Sequence, residues 1–250
     1  MKELTIKEKH EIILEIMKDI DKFCRENDIP YTISAGTMLG AIRHGGFIPW
    51  DDDADLFMLR EDFDRFVKIY KSPKYHLLFN TRGEKEFLAS GYAKVSDPAT
   101  RIEDNKTLTE YGVYVDIFPL DAVPEDPKEQ HDFMHSIMST HNRLHHRMKK
   151  DIVSIIKSYR HSLDWWWNKL DSQVHSGKYD DSPLVAQAIG TTNYRTVLEK
   201  SRFDSLVDIE FEGYKFLGFS DPHSYLVMLY GEDYMTPKKW AHNFRAFKNE

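Results

Sequence analysis

Three aspartates, Asp51, Asp53 and Asp55, occupy every second position of the run Asp51-Asp52-Asp53-Ala54-Asp55-Leu56-Phe57-Met58. On a strand that spacing sends their carboxylates to one face and turns Asp52 and Ala54 to the other. Two such charges about 4 Å apart repel by roughly 4 kcal/mol at an effective dielectric near 20, so the cluster calls for a cation. An all-oxygen donor set suits a hard divalent ion, magnesium or manganese. A solvated acidic turn is the competing reading of an acidic run. Here the run is bounded by Trp50 and by Leu56-Phe57-Met58, which places it at the edge of a core. A calcium loop of the EF-hand kind does not fit: its sixth position needs Gly and holds Leu56, and its twelfth needs Glu and holds Asp62.

A second constellation precedes the first. Gly36-Thr37 breaks the strand-like Tyr31-Thr32-Ile33-Ser34-Ala35 and opens a short helix carried by Met38, Leu39 and Ile42. Such a turn presents backbone N–H groups and a helix N-terminus to phosphate oxygens, although any strand-to-helix turn favours Gly. The helix is expected to end near Arg43-His44-Gly45-Gly46, where a loop through Trp50 leads into the acidic strand.

The elements that must hold these residues are legible in outline. Thr5-Ile6-Lys7-Glu8 has capping-box spacing, and Ile13, Ile16, Met17, Ile20, Phe23 and Cys24 form one apolar stripe ending at Asn27-Asp28-Ile29-Pro30. Glu61 to Tyr70 reads as a helix, and Tyr75–Phe79, Phe87–Val95 and Val113–Phe118 read as strands. From Pro127 to about Ser176 the sequence is polar and helix-compatible. Two strand-like runs flank Gly213, and a last helix runs from Pro222 to Tyr230 before Gly231. The expected organisation is a catalytic core over 1–124, a helical insertion over 125–200 and a C-terminal segment over 201–250 that completes the core.

Composition narrows the function classes. With 250 residues, 41% of them hydrophobic, the chain can bury one sizeable core. A formal charge of -7 supplies no global basic field for nucleic acid. A single cysteine, Cys24, fits a reducing compartment, and no apolar run reaches the roughly 18 to 20 residues of a membrane span. A cytoplasmic protein is expected, with at most peripheral contact at the inner face of a membrane. Trp165-Trp166-Trp167 bears on that contact, because three adjacent side chains on a helix sweep roughly 200° and cannot all share one buried stripe. Either two rings are clasped against the rest of the protein with one left at the rim, or the exposed ring meets a membrane interface.

The stretch Ser34 to Asp55, with its Ala35-Gly36-Thr37, Arg43-His44-Gly45-Gly46-Phe47-Ile48-Pro49-Trp50 and Asp51-Asp52-Asp53-Ala54-Asp55 segments, resembles the LicD/fukutin family of the nucleotidyltransferase superfamily. So do Tyr114-Val115-Asp116-Ile117-Phe118-Pro119-Leu120-Asp121 and Leu229-Tyr230-Gly231-Glu232-Asp233-Tyr234-Met235. Thr236-Pro237-Lys238-Lys239 departs from the family pattern, so nothing is carried over beyond Met235. The resemblance implies an α+β fold with a mixed sheet flanked by helices. It also implies transfer of a substituted phosphate, phosphocholine from CDP-choline above all, from a CDP-linked donor to a sugar hydroxyl of a glycan such as teichoic acid or lipopolysaccharide. The family's catalytic and metal-binding aspartates map onto Asp53 and Asp55, with Asp51 as an acidic neighbour and Asp116 as the third-strand acid.

On this reading two magnesium or manganese ions would neutralise the donor pyrophosphate and release CMP. Asp116 would act as ligand or as base. Gly36 and Thr37 would position phosphate, with Arg43 and Lys94 as charge partners. A quaternary ammonium needs aromatic rings, and Trp50, Tyr92, Tyr111 and Tyr114 are the candidates. The pairs His131/His135 and His141/His145 have helical metal-ligand spacing, but no Cys or motif Glu completes a zinc set. Two other activities remain open: attachment of a nucleotide to a small molecule with pyrophosphate release, and non-catalytic binding of a glycan or nucleotide.

Overall fold

A computed structural model describes residues 2–79, 90–103, 111–148, 153, 161–190, 196–237 and 244–249. The first helix, α1 (Ile6–Glu26), begins at a complete capping box in which Thr5 and Glu8 satisfy each other's backbone N–H groups. Its buried stripe includes Ile13, Ile16, Met17, Ile20 and Cys24 as the spacing requires, with Phe23 half-buried at the margin. The short strand β1 (Thr32–Ile33) leads into α2 (Ala35–His44), which Gly45 ends in the left-handed conformation.

Next come β2 (Asp55–Leu59), α3 (Arg60–Ile69) and β3 (His76–Leu78). They are followed by β4 (Ala93–Ser96), β5 (Thr100–Ile102) and β6 (Tyr114–Ala122). The sheet runs in the order β1-β2-β6-β4-β3, with β2 and β6 parallel and the other pairs antiparallel. Its central strand β6 is buried from Val115 to Asp121, and α1 and α3 pack against it. The mixed sheet flanked by helices agrees with expectation. Residues 87–89 of the expected strand Phe87–Val95 lie outside the described residues, residues 90–92 form a bend where strand was expected, and only 93–95 belong to β4, Gly91 taking a positive φ that interrupts extended pairing.

The 125–200 segment is helical only in part. It holds α4 (Pro127–Met148) and α5 (Leu163–Val174), which pack together, but also β7 (Leu184–Ala186) and β8 (Val197–Glu199). β7 pairs with the end of β6, so this part of the expected insertion extends the central sheet. Strands of three residues carry too little periodic signal to be read from sequence. Trp166 and Trp167 are buried with Ile137, Leu144 and Ile189, while Trp165 is 40% exposed and stacks on His161 at 3.6 Å. Two rings are thus packed and one lies at the rim.

The chain closes with the hairpin β9 (Leu206–Phe211) and β10 (Tyr214–Phe219), then α6 (Pro222–Tyr230) and β11 (Ala246–Lys248), which pairs with β5. α6 packs on α2 and brings the late motif back to the start of the acidic loop. Among the described residues, no helix is long and apolar enough to cross a membrane.

Candidate active site

The parallel register of β2 and β6 sets Asp55 opposite Asp116, and the antiparallel register of β4 and β6 sets Lys94 opposite Asp116. Residues opposite one another share a face of the sheet, so Asp55, Asp116 and Lys94 form one row across three strands. Lys94 Nζ donates to Asp116 Oδ1 at 2.5 Å. The same ammonium lies 3.5 Å from the ring centroid of Tyr114, 5.3 Å from that of Tyr92 and 5.6 Å from that of Tyr111. Three of the four rings considered for a quaternary ammonium therefore surround a cation of the chain itself. Lys94 is buried and paired with the Asp116 carboxylate.

The acidic run differs from expectation in one respect. β2 begins only at Asp55, and residues 51–54 form an irregular lead-in. Three nearby acids with weak strand propensity and no pairing strand alongside account for the shortening. The alternation nonetheless survives: Asp52 and Ala54 are fully buried, while Asp51, Asp53 and Asp55 line one cleft. Burial and the Asp53 charge push the Asp51 carboxyl up to about 7. Burial, then Asp53, Asp116 and Asp51, hold Asp55 well above the usual carboxylate range. Burial pushes Asp116 up to about 6 against the opposing pull of Lys94.

The helix α2 supplies the opposite wall. Its first turn contains Gly36, where an added Cβ would fall 2.8 Å from Asp51 Oδ2, so Gly is the residue that lets this carboxylate approach the helix. Thr37 follows in the same turn. It is buried, and its Oγ1 accepts the backbone N–H of Asp55 at 2.8 Å, which ties the helix to the first residue of β2. Arg43 faces the cleft, with Nη1 donating to the Tyr234 carbonyl at 2.9 Å.

The cleft has a volume of about 410 Å³. The sequence-selected residues on its walls are Gly36, Arg43, Trp50, Asp51, Asp53 and Asp55, and Thr37, Lys94 and Asp116 are buried. Sequence reasoning assigned no role to Tyr230 and Tyr234, which complete the aromatic side. Their signal was the Leu229–Met235 motif, whose position in space depends on α6 docking against α2.

Among the described residues, no three His, Cys, Asp or Glu side chains form a ready-made metal cage. The aspartates fit a hard cation through their oxygen donors and their mutual repulsion, which a bound cation would relieve. The histidine pairs of α4 stack at 6.1 and 6.2 Å, and burial with the His145 charge pushes His141 down to about 4.

The raised carboxylates make a pH prediction. A folded-state pKa above its unfolded value contributes stability that is full below the ordinary 3.8 and lost as pH rises through about 6 for Asp116 and about 7 for Asp51. The metal-free protein is expected to lose Tm relative to an Asp51→Asn variant as pH climbs through that window, and magnesium is expected to narrow the gap. Melting curves across pH, with EDTA or with magnesium, check this. Parallel curves for the two proteins in EDTA would refute it.

Comparison with known proteins bears on the same residues. A family model described as LicD/FKTN/FKRP, nucleotidyltransferase domain, matches residues 28–159 and so includes Asp51, Asp53, Asp55 and Asp116. The chain is 31% identical to the lipopolysaccharide cholinephosphotransferase LicD of Haemophilus influenzae, over 94% of this chain and 93% of that protein. An uncharacterized protein of Rickettsia typhi is 38% identical over 32% of this chain and 27% of its own length. Another, from Rickettsia prowazekii, is 46% identical over 20% of this chain and 19% of its own. With a family model spanning more than half of the sequence and one relative aligned along nearly all of it, the chain belongs to the LicD/FKTN/FKRP family.

Proposed function

We propose that this protein transfers phosphocholine from CDP-choline to a sugar hydroxyl of a cell-surface glycan and releases CMP. The observation that carries the reading is the near end-to-end similarity to a cholinephosphotransferase that acts on lipopolysaccharide. The acidic and aromatic cleft supports it, because a donor whose pyrophosphate links cytidine to choline needs carboxylates that hold a neutralising cation and rings that meet the trimethylammonium.

In the reaction, an acceptor hydroxyl oxygen bonds to the phosphorus bearing choline, the bond from that phosphorus to the CMP oxygen breaks, and the hydroxyl proton is lost. Magnesium or manganese, when bound, neutralises the phosphate charge in the transition state. Asp53 and Asp55 would hold the cation, with Asp51 beside them and Asp116 backing Asp55 from the next strand. A base must reach the proton it takes. Asp51, Asp53 and Asp55 line the cleft and Asp116 stands opposite Asp55 on the next strand, so the base is one of these four carboxylates. Arg43 and the α2 N-terminus at Gly36 meet the remaining phosphate charge.

Purified protein incubated with CDP-choline, CDP-ribitol or CDP-glycerol, magnesium and candidate glycans tests the proposal by CMP release. Pyrophosphate release with a nucleotidylated product would favour the activity named in the family description instead. Trp50, Tyr230 and Tyr234 are the rings left for choline once Tyr92, Tyr111 and Tyr114 are assigned to Lys94. Trp50→Leu is expected to raise KM for CDP-choline by about two- to thirtyfold, the range of a cation–π contact, and to leave KM for CDP-glycerol nearly unchanged. Equal losses for both donors would remove Trp50 from choline recognition.

A further inference from the structure

Between the cleft residues Asp51 and Asp53 lies a carboxylate turned the other way. Asp52 is 0% exposed, and its Oδ2 accepts from Lys9 Nζ at 3.0 Å and from the Phe244 backbone N–H at 2.8 Å. Lys9 is itself buried, donates also to the Phe244 carbonyl, and lies 4.5 Å from the Phe244 ring centroid. The next residue of α1, His10, donates from Nε2 to the Asp51 carbonyl at 2.6 Å and stacks on Phe47 at 4.2 Å with 4° between the planes. Consecutive residues of α1 thus grip consecutive residues of the acidic lead-in.

That lead-in needs outside support. It has no regular secondary structure, yet it carries two of the cleft carboxylates, Asp51 and Asp53, side by side on one face. Repulsion between them pushes a free loop open. A buried lysine–aspartate pair is a poor source of net stability, because desolvation offsets much of the attraction, but it fixes geometry.

We propose that Lys9 and His10 are positioning residues for the cation site, holding the main chain at 51 and 52 so that Asp51 and Asp53 stay gathered against their repulsion. The inference rests on the reading above that these aspartates bind a divalent cation. Both residues lie in α1, outside residues 28–159 matched by the family model.

Binding of Mn²⁺ to the metal-free full chain, followed by electron paramagnetic resonance, is the test, with Tm and kcat measured alongside. Lys9→Met alone leaves Asp52 buried and unpaired and is expected to lower Tm. The double variant Lys9→Met/Asp52→Leu removes both charges and is expected to regain most of that Tm. It should nevertheless bind Mn²⁺ about ten- to a hundredfold more weakly than wild type, the usual cost of losing a group that orients metal ligands. His10→Ala, which creates no buried charge, should weaken Mn²⁺ binding with little change in Tm, and it serves if the double variant does not fold. Lys9→Arg should retain most of the affinity. If the double variant or, failing that, His10→Ala binds Mn²⁺ as wild type does, the clamp is only structural and the inference is overturned. Wild type that binds no Mn²⁺ at all would instead overturn the metal reading, and this inference with it.

Discussion

Asp55→Asn and Asp53→Asn are each expected to cut turnover by at least about a thousandfold, the effect of removing several kcal/mol of transition-state charge stabilisation. Neither is expected to unfold the protein. Asp55 opens β2 beside Asp116, and its raised pKa comes from burial first and then from Asp53, Asp116 and Asp51. Replacing one of these carboxylates by an amide of the same shape removes like-charge repulsion, so the metal-free variants should melt at or above the wild-type temperature. Magnesium should raise the Tm of wild type more than that of either variant, since a ligand stabilises only the state that binds it. Turnover and melting curves with and without magnesium decide the matter. Substantial activity in either variant would remove that aspartate from the cation site.

Asp116 gives the second large effect, and the structure alters how it must be measured. Truncation to Ala is the simplest substitution at this position. In the structure, Asp116 lies within β6 and carries the only carboxylate bonded to the buried Lys94 ammonium among the described residues. Asp116→Ala would leave that ammonium without its counterion, at a cost of about 3–5 kcal/mol in stability. A loss of activity could then reflect unfolding alone. Asp116→Asn keeps an oxygen for Lys94, and Lys94→Met/Asp116→Ala removes both charges. Each is expected to fold and to lose about a hundredfold in turnover, the upper end for a group that supports a metal site. Near-normal turnover in both would leave Asp116 a structural partner of Lys94.

Much of the fold was written locally. Thr5 and Glu8 mark the start of α1, Pro222 and Gly231 bracket α6, and Gly213 marks the hairpin turn, because caps and turns are settled by residues within a few positions of one another. The sidedness of the acidic run was equally local: alternation along an extended chain separates Asp51, Asp53 and Asp55 from Asp52 whether or not a strand forms. Less legible were the limits of β2 and the strands β7 and β8, since strand formation depends on a partner supplied by distant sequence.

By itself the sequence determined which residues could bind a cation and which family they resemble. The tertiary structure alone decided what each charge faces. Pairing β2 with β6 puts Asp55 beside Asp116 across 61 positions of chain, and pairing β4 with β6 gives Asp116 the Lys94 ammonium, which claims the three tyrosines for itself. Docking α6 on α2 carries Tyr230 and Tyr234 to the cleft, and packing α1 beneath the acidic loop gives Asp52 its Lys9. The physical reason is common to all four. Charge, burial and ring contacts act through a few ångströms of space, and only long-range pairing of strands and packing of helices brings these residues within that distance.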